Sequence, residues 1–360
     1  MNYDCGTPKV AALRGGIRSW WDVAEKKFIQ AATLYLAQGC PDWGELPGPG
    51  KPILCRFCSL PHAAAGYRQE FFGGRILTAE EHLGIFRANL EFMAPPDAGI
   101  YTVMVFNAGS FLAEIANPFE VQTGVARMIA EHPTVARLVI ESRAGLITLP
   151  ALRRITDILQ SAGKLLTVRI GVETQDDHLR LKVLRKGHTR RDLSGAMQAM
   201  REAGANSGGY VLLNPAPGLD ILQAANEAER TVEWVLGYGE GDLGMDEAYF
   251  GPTCVGPGTL LEAEWRAGKF RPANLWATWN ILRWAAQAYG RRVHLLPFKD
   301  EPPFLAVPSN HVPEGIPESL EGAQGCDLEF HRLLQQYRET MDLGALENIP
   351  ACSCRPDLAI

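Results

Sequence analysis

The sequence lacks any surplus of positive charge: 35 lysines and arginines stand against 41 acidic residues, for a formal net charge of −6. A protein that grips nucleic acid unaided carries a basic face, because phosphate neutralisation supplies most of its non-specific affinity. The balance disfavours such a partner, although Arg185, Lys186, Arg190 and Arg191 leave room for one local basic patch. No run of about twenty apolar residues occurs, so neither a membrane span nor a membrane partner is expected. The opening MNYDCGTPKVAALRGG lacks the basic-then-apolar order of a signal peptide. Repeats and low-complexity tracts are missing too. With no secretion signal, the eight cysteines are expected to be reduced thiols of a cytoplasmic protein rather than a disulfide scaffold. Some are free to bind metal, while Cys5 and Cys254 read as small buried hydrophobes.

What is present is an alternation. From about residue 32 to 290, short β-rich runs alternate with longer helical patterns, the signature of βα units and a parallel sheet. Strands are expected over 32–38, 101–106, 137–141, 165–172, 210–214 and 247–251. Helices are expected over 78–93, 119–131, 149–162, 176–184, 191–203, 222–236 and 275–289. Thr78 with Glu81 three residues on forms a capping-box pattern at the first of these. Six such units suit an α/β fold of the partial (β/α)6 TIM-like barrel kind, with a doubly wound sheet as the alternative. In either, ligands lie at the carboxyl ends of the strands. The expected organisation is an N-terminal segment (1–31), the barrel (32–290) and a C-terminal extension (291–360). The Pro-rich stretch from Glu301 to Pro317 is a candidate lid, and a last helix is expected near 328–341.

The loop after the first strand holds Cys40 and then, after fourteen intervening residues, Cys55-Arg56-Phe57-Cys58. A CxxC turn brings two thiolates to one metal centre, and a third can complete the set. Three protein thiolates on a four-iron cluster leave one iron open, as an enzyme that binds its ligand there requires. Phe57 would shield such a centre and lower its local dielectric. The same spacing also suits structural zinc, with Cys40, Cys55, Cys58 and His62 as a Cys3His set. Spacing alone leaves both open. Cys352 and Cys354, with Cys326, form a weaker group that fits a second metal, a place near the active site, or plain thiols.

The segments FNAGSFL (106–112), VIESRAGLIT (139–148), VRIGVETQDDHLR (168–180), LRKGHT (184–189) and GTLLEAEWRAGKFRPANLW (258–276) decide between them. In order and spacing they resemble the radical S-adenosylmethionine (SAM) superfamily. The likeness is strongest to archaeosine-biosynthesis radical SAM subunits, and more distant to the Elongator-type radical SAM domain. The gap between Cys40 and Cys55 departs from the superfamily's usual pattern, in which three residues separate the first two cysteines.

The resemblance implies a [4Fe–4S] cluster on Cys40, Cys55 and Cys58, with SAM as the second cofactor chelating the fourth iron. It places Asn107, Gly109 and Ser110 near the methionine amine, where small residues let the backbone approach a ligand. Glu141 and Arg143 suit ammonium or hydroxyl and carboxylate groups respectively. Glu173 suits the ribose hydroxyls. The Lys186-Gly187-His188 segment is implied to face SAM or substrate. Nothing else in the sequence supports His188 as a general base.

The implied reaction is reductive cleavage of SAM, fed by an electron donor such as flavodoxin or ferredoxin, followed by hydrogen abstraction from substrate. The resembling subunits act on a lysine-bearing deazaguanine in tRNA with a partner protein. The acidic balance points instead to a small-molecule substrate, a nucleoside or amino-acid derivative, with tRNA as the alternative. A zinc-stabilised binding module is the reading from another class.

Overall fold

The computed structural model describes residues 3–40, 55–300 and 302–355, the side chain of His62 excepted. The stretch between Cys40 and Cys55, and Glu301 of the candidate lid, lie outside the described residues.

Eight strands follow one another in chain order through a mixed sheet: β1 (Arg14–Asp22), β2 (Lys27–Tyr35), β3 (Ile100–Phe106), β4 (Arg137–Glu141), β5 (Leu165–Glu173), β6 (Asn206–Leu213), β7 (Glu247–Pro252) and β8 (Val293–Leu295). β1 and β2 pair antiparallel, whereas β2–β3, β3–β4, β4–β5 and β7–β8 pair parallel. A doubly wound sheet reverses its strand order at a switch point. A monotonic order of βα units is instead the connectivity of a (β/α) barrel. The α/β fold of barrel type is therefore borne out, and the doubly wound alternative falls.

Two strands escape sequence reading for physical reasons. β1, RGGIRSWWD, carries paired glycines and no clean apolar alternation, and its burial follows none. β8 has three residues, too few to show a period. The expected helix over 176–184 shrinks to one π-turn, Leu179–Val183. There the fully buried Arg180 donates to the carbonyls of Thr174 and His188, fastening the segment at both ends.

The described residues group into two compact units. The first takes in 1–53, 60–170 and 191–208. It contains α1 (Pro8–Ala11), α2 (Leu60–Phe72), α3 (Ala79–Met93), α4 (Phe119–Glu131), α5 (Leu149–Ser161) and most of α6 (Arg190–Ala203). Its parallel strands are apolar on both faces: Val103, Met104 and Val105 are all buried, as are Leu138, Val139 and Ile140. That is the pattern of strands covered on each side. α3 begins at the expected capping box, Thr78 with Glu81, and α5 buries Leu152, Ile155 and Leu159 at helical spacing.

The second unit takes in 54–59, 171–190 and 209–360. It contains α7 (Ile221–Leu236), α8 (Leu260–Arg266), α9 (Leu275–Tyr289) and α10 (Asp327–Thr340). α9 is apolar nearly all round, and its Trp276 and Trp279 meet Phe330 of α10 edge-on. Val255 bridges Ala306, and Val307 bridges Ile316, so the Pro-rich chain folds back on itself. Cys254 packs as a buried hydrophobe with Val307 and Ile316, as expected. Among the described residues no helix is long and apolar enough to cross a membrane.

Candidate active site

In the first unit the nominated residues gather at the carboxyl ends of β2, β3 and β4. Beyond β2 the chain turns at Gly39, whose φ of +78° a side chain resists. The buried Arg68 of α2 donates to the carbonyls of Ala37 and Gln38 at 3.3 and 2.6 Å, fixing the approach to Cys40. Gly109 lies directly against Cys40: a Cβ there would stand 2.6 Å from the Cys40 Cα and 3.0 Å from its Cβ. The close approach that placed a small residue here is thus an approach of backbone to Cys40 itself. Gly109→Ala is expected to displace Cys40 and cost about 1–3 kcal/mol of stability, as overpacking does. Urea unfolding of the full chain checks it, and an unaltered midpoint would remove Gly109 from the account.

Asn107 is buried, and its Nδ2 donates to the Ser110 carbonyl at 3.3 Å. Its Oδ1 is buried with no hydrogen-bond partner among the described residues. A buried acceptor left without a partner is costly, so it marks a place where a ligand donor fits. Ser110 Oγ accepts from the Arg143 backbone N–H at 3.1 Å, and the Phe111 N–H donates to the Glu141 carbonyl at 2.8 Å. These bonds tie the ends of β3 and β4 together. Burial lowers the pKa of the Arg143 guanidinium, while the nearby Cys40 thiolate favours its charge.

The turn also carries a titration. His82 of α3 lies 3.2 Å from Gln38 Oε1, and burial depresses its imidazole to about 4. The unfolded chain therefore binds the extra proton first, and stability falls as the pH drops from about 6.5 to about 4. The loss should approach roughly 3 kcal/mol over that window. His82→Gln should flatten it in urea titrations across pH, and an unchanged slope would contradict the assignment.

In the second unit, the Cys58 N–H donates to the Cys55 carbonyl at 3.4 Å, closing the CxxC turn. Arg56 clamps that turn from both sides. Its backbone N–H and Nε donate to the carbonyls of Leu184 and Val183 at 3.0 and 2.8 Å, and its guanidinium pairs with Glu264 of α8. The Arg56 carbonyl accepts from Leu261 N–H at 3.1 Å.

Lys186 Nζ stands 2.5 Å from Glu173 Oε1 and 5.5 Å from the centre of the Phe57 ring. Burial opposes its charge, but Glu173, Cys55 and Cys58 favour it, and the balance holds the ammonium above the ordinary lysine range. Gly171 is bare where a Cβ would collide with both members of the pair. His188 Nε2 lies 3.1 Å from the Gly171 carbonyl, a bond that fixes the same corner.

Strain marks the strand ends. Ala108 after β3, Glu173 ending β5 and Asn214 after β6 adopt φ of 53°, 64° and 53°. Left-handed backbone in residues other than glycine persists only where the surroundings enforce it, and it gathers at functional sites. Asn214 is the residue that sequence reading missed. Its Nδ2 donates to the Arg271 carbonyl at 2.8 Å, and its Oδ1 is buried without a partner among the described residues. The one signal was its position at a strand end before Pro215.

The structure thus brings Cys40, Asn107, Gly109, Ser110, Glu141 and Arg143 together in the first unit. In the second it gathers Cys55, Phe57, Cys58, Glu173 and Lys186.

No protein-family model matches the chain. It is similar to the archaeosine synthase subunit beta of Thermococcus kodakarensis, 26% identical over 84% of each chain. It is also similar to the archaeosine synthase subunit beta of Methanosarcina acetivorans, 28% identical over 71% of this chain and 67% of the relative. Among solved structures, the archaeal Methanocaldococcus infernus Elp3 aligns with a TM-score of 0.49 at 15% identity, over 71% of this chain and 58% of that one. The archaeosine-type resemblance read from the sequence is borne out by the two archaeosine synthase relatives.

Proposed function

We propose that the chain is a radical SAM enzyme in which Cys40, Cys55 and Cys58 hold a [4Fe–4S] cluster. The observation that carries this reading is the pair of settings around the cysteines. Gly109 stands against Cys40, two residues on from Asn107, whose buried Oδ1 has no partner among the described residues, and the Lys186 ammonium stands beside Cys55 and Cys58. The donor set fits: three thiolates suit a four-iron cluster and leave one iron for SAM. Bound together, cluster and SAM would supply radical hydrogen abstraction from substrate.

The chain's own residues bind and orient. Asn107 Oδ1 would accept from the SAM ammonium, with Gly109 and Ser110 letting the backbone come close. Arg143 would receive the carboxylate, and Glu141 the remaining ammonium or hydroxyl donors. Glu173, paired with Lys186, would take the ribose hydroxyls, while the Lys186 charge favours the Cys55 and Cys58 thiolates. Phe57 keeps water from them. An electron donor of the flavodoxin or ferredoxin kind supplies the reducing electron. The organisation read from the sequence, a catalytic 32–290 with a 291–360 extension, belongs to the same proposal.

For the substrate, the names of the two relatives support modification of a nucleoside of the archaeosine type, carried out with a partner subunit. The acidic balance then has a reason: the partner supplies the grip on tRNA. A free small-molecule nucleoside is the second reading, favoured by the net charge of −6. Binding of tRNA to the chain alone and with an archaeosine synthase alpha-type partner, across salt concentrations, separates them. Salt-sensitive binding that needs the partner supports the first reading, and SAM cleavage stimulated equally by the free nucleoside without any partner supports the second.

A further inference from the structure

The C-terminal cysteines are not loose thiols. His311, Cys326, Cys352 and Cys354 present ligand atoms that all lie within 4.8 Å of one another, in the second unit. We infer that these four residues form a closed tetrahedral zinc site, separate from the cysteines proposed to hold the cluster. It is independent of the proposed function.

The distances carry the assignment. Tetrahedral zinc with bonds of about 2.3 Å to sulfur and about 2.05 Å to nitrogen sets sulfur atoms about 3.8 Å apart, and sulfur about 3.5 Å from nitrogen. Here Cys326 Sγ lies 3.6 Å and Cys352 Sγ 3.5 Å from His311 Nε2, and Cys326 Sγ lies 3.5 Å from Cys354 Sγ. Thiolates on a four-iron cluster each bind a different iron and stand farther apart, so the group suits a single ion. Three soft thiolates and one imidazole select zinc over hard cations. With all four positions filled by protein, the site is of the structural kind, with no place for substrate.

The surroundings are built for the same purpose. Gly325, at φ +52°, is bare where a Cβ would collide with the His311 ring. Asn310 Nδ2 donates to Cys326 Sγ at 3.3 Å, and Trp276 Nε1 donates to Cys354 Sγ at 3.4 Å. Such donors stabilise the negative charge that three thiolates leave on a zinc ion. Asp327 accepts from Ser309 Oγ at 2.5 Å and from Asn310 N–H at 2.8 Å, while Ser309 Oγ accepts from His311 N–H at 3.1 Å. The loop that carries His311 is thereby held to the start of α10. On binding, the three thiols release their protons and His311 binds as neutral imidazole through Nε2. The ion would pin the tail at 352–354 onto α9 and α10.

The test is metal analysis and zinc K-edge absorption of the anaerobically purified full chain. One zinc per chain is expected, with three sulfurs at about 2.3 Å and one nitrogen at about 2.0–2.1 Å. The C40A/C55A/C58A variant should keep that zinc while losing iron, which separates this site from the proposed cluster whatever becomes of the cluster. C352S/C354S should lose zinc and keep iron. If that variant fails to fold, the wild-type edge spectrum and the triple variant still decide. A chain without zinc, a first coordination sphere of oxygen and nitrogen, zinc lost from the triple variant, or a disulfide among Cys326, Cys352 and Cys354 would each overturn the inference.

Discussion

Cys58→Ala, purified anaerobically, is expected to hold no intact cluster and to cleave no SAM above background. Cys58 closes the CxxC turn whose backbone Arg56 clamps, so the alanine variant keeps its fold while losing one of three thiolates. The drop should exceed detection if the cofactors carry the chemistry as proposed, because enzymes accelerate their reactions by at least about a million-fold. Iron content and 5′-deoxyadenosine formation with dithionite measure it. Cleavage at a tenth of the wild-type rate, with iron retained, would remove Cys58 from the ligand set. Cys55→Ala and Cys40→Ala should behave alike, whereas Cys254→Ala, deep among Val307 and Ile316, should keep both iron and activity.

Glu173→Gln should be the second large effect. Glu173 and Lys186 are an ion pair at 2.5 Å whose side chains are 5% and 14% exposed. Removing one charge from such a pair leaves the other buried and uncompensated, at a cost of about 3–5 kcal/mol. Lys186 faces two cysteines as well as Glu173, so the low end of that range is expected here. The double variant E173Q/K186M removes both charges and should recover most of the lost stability, since an apolar replacement of a buried pair is often neutral. SAM binding should not recover with it if, as proposed, the Glu173 carboxylate holds the ribose. Anaerobic urea unfolding and SAM titration on the same samples separate the two roles. If E173Q is as stable as wild type and binds SAM unchanged, the pair is peripheral.

Much of this was legible in the sequence because the alternation of strands and helices in βα units survives in the pattern of apolar residues. β4 runs over 137–141 as expected, and the Thr78 and Glu81 box opens α3. What hid was short or irregular. β1 has glycines where a strand shows alternation, and α2 begins Leu60-Pro61 and carries Gly66. The nominated strand-end residues were readable through motifs. Asn214 was not, since its left-handed backbone, and an oxygen with no partner among the described residues, exist only in the folded chain. The C-terminal cysteines show the same limit. Cys326, Cys352 and Cys354 group in the sequence, but His311 joins them only through the packing of the 309–327 segment.

The central claim is tested most directly by the absorption spectrum and iron content of the anaerobically purified full chain, with and without dithionite. A brown protein with close to four irons per chain, bleaching on reduction and then cleaving SAM, is the predicted result. A colourless protein that takes up zinc at Cys40, Cys55 and Cys58, and stays inert to SAM after reconstitution with iron and sulfide, would contradict it.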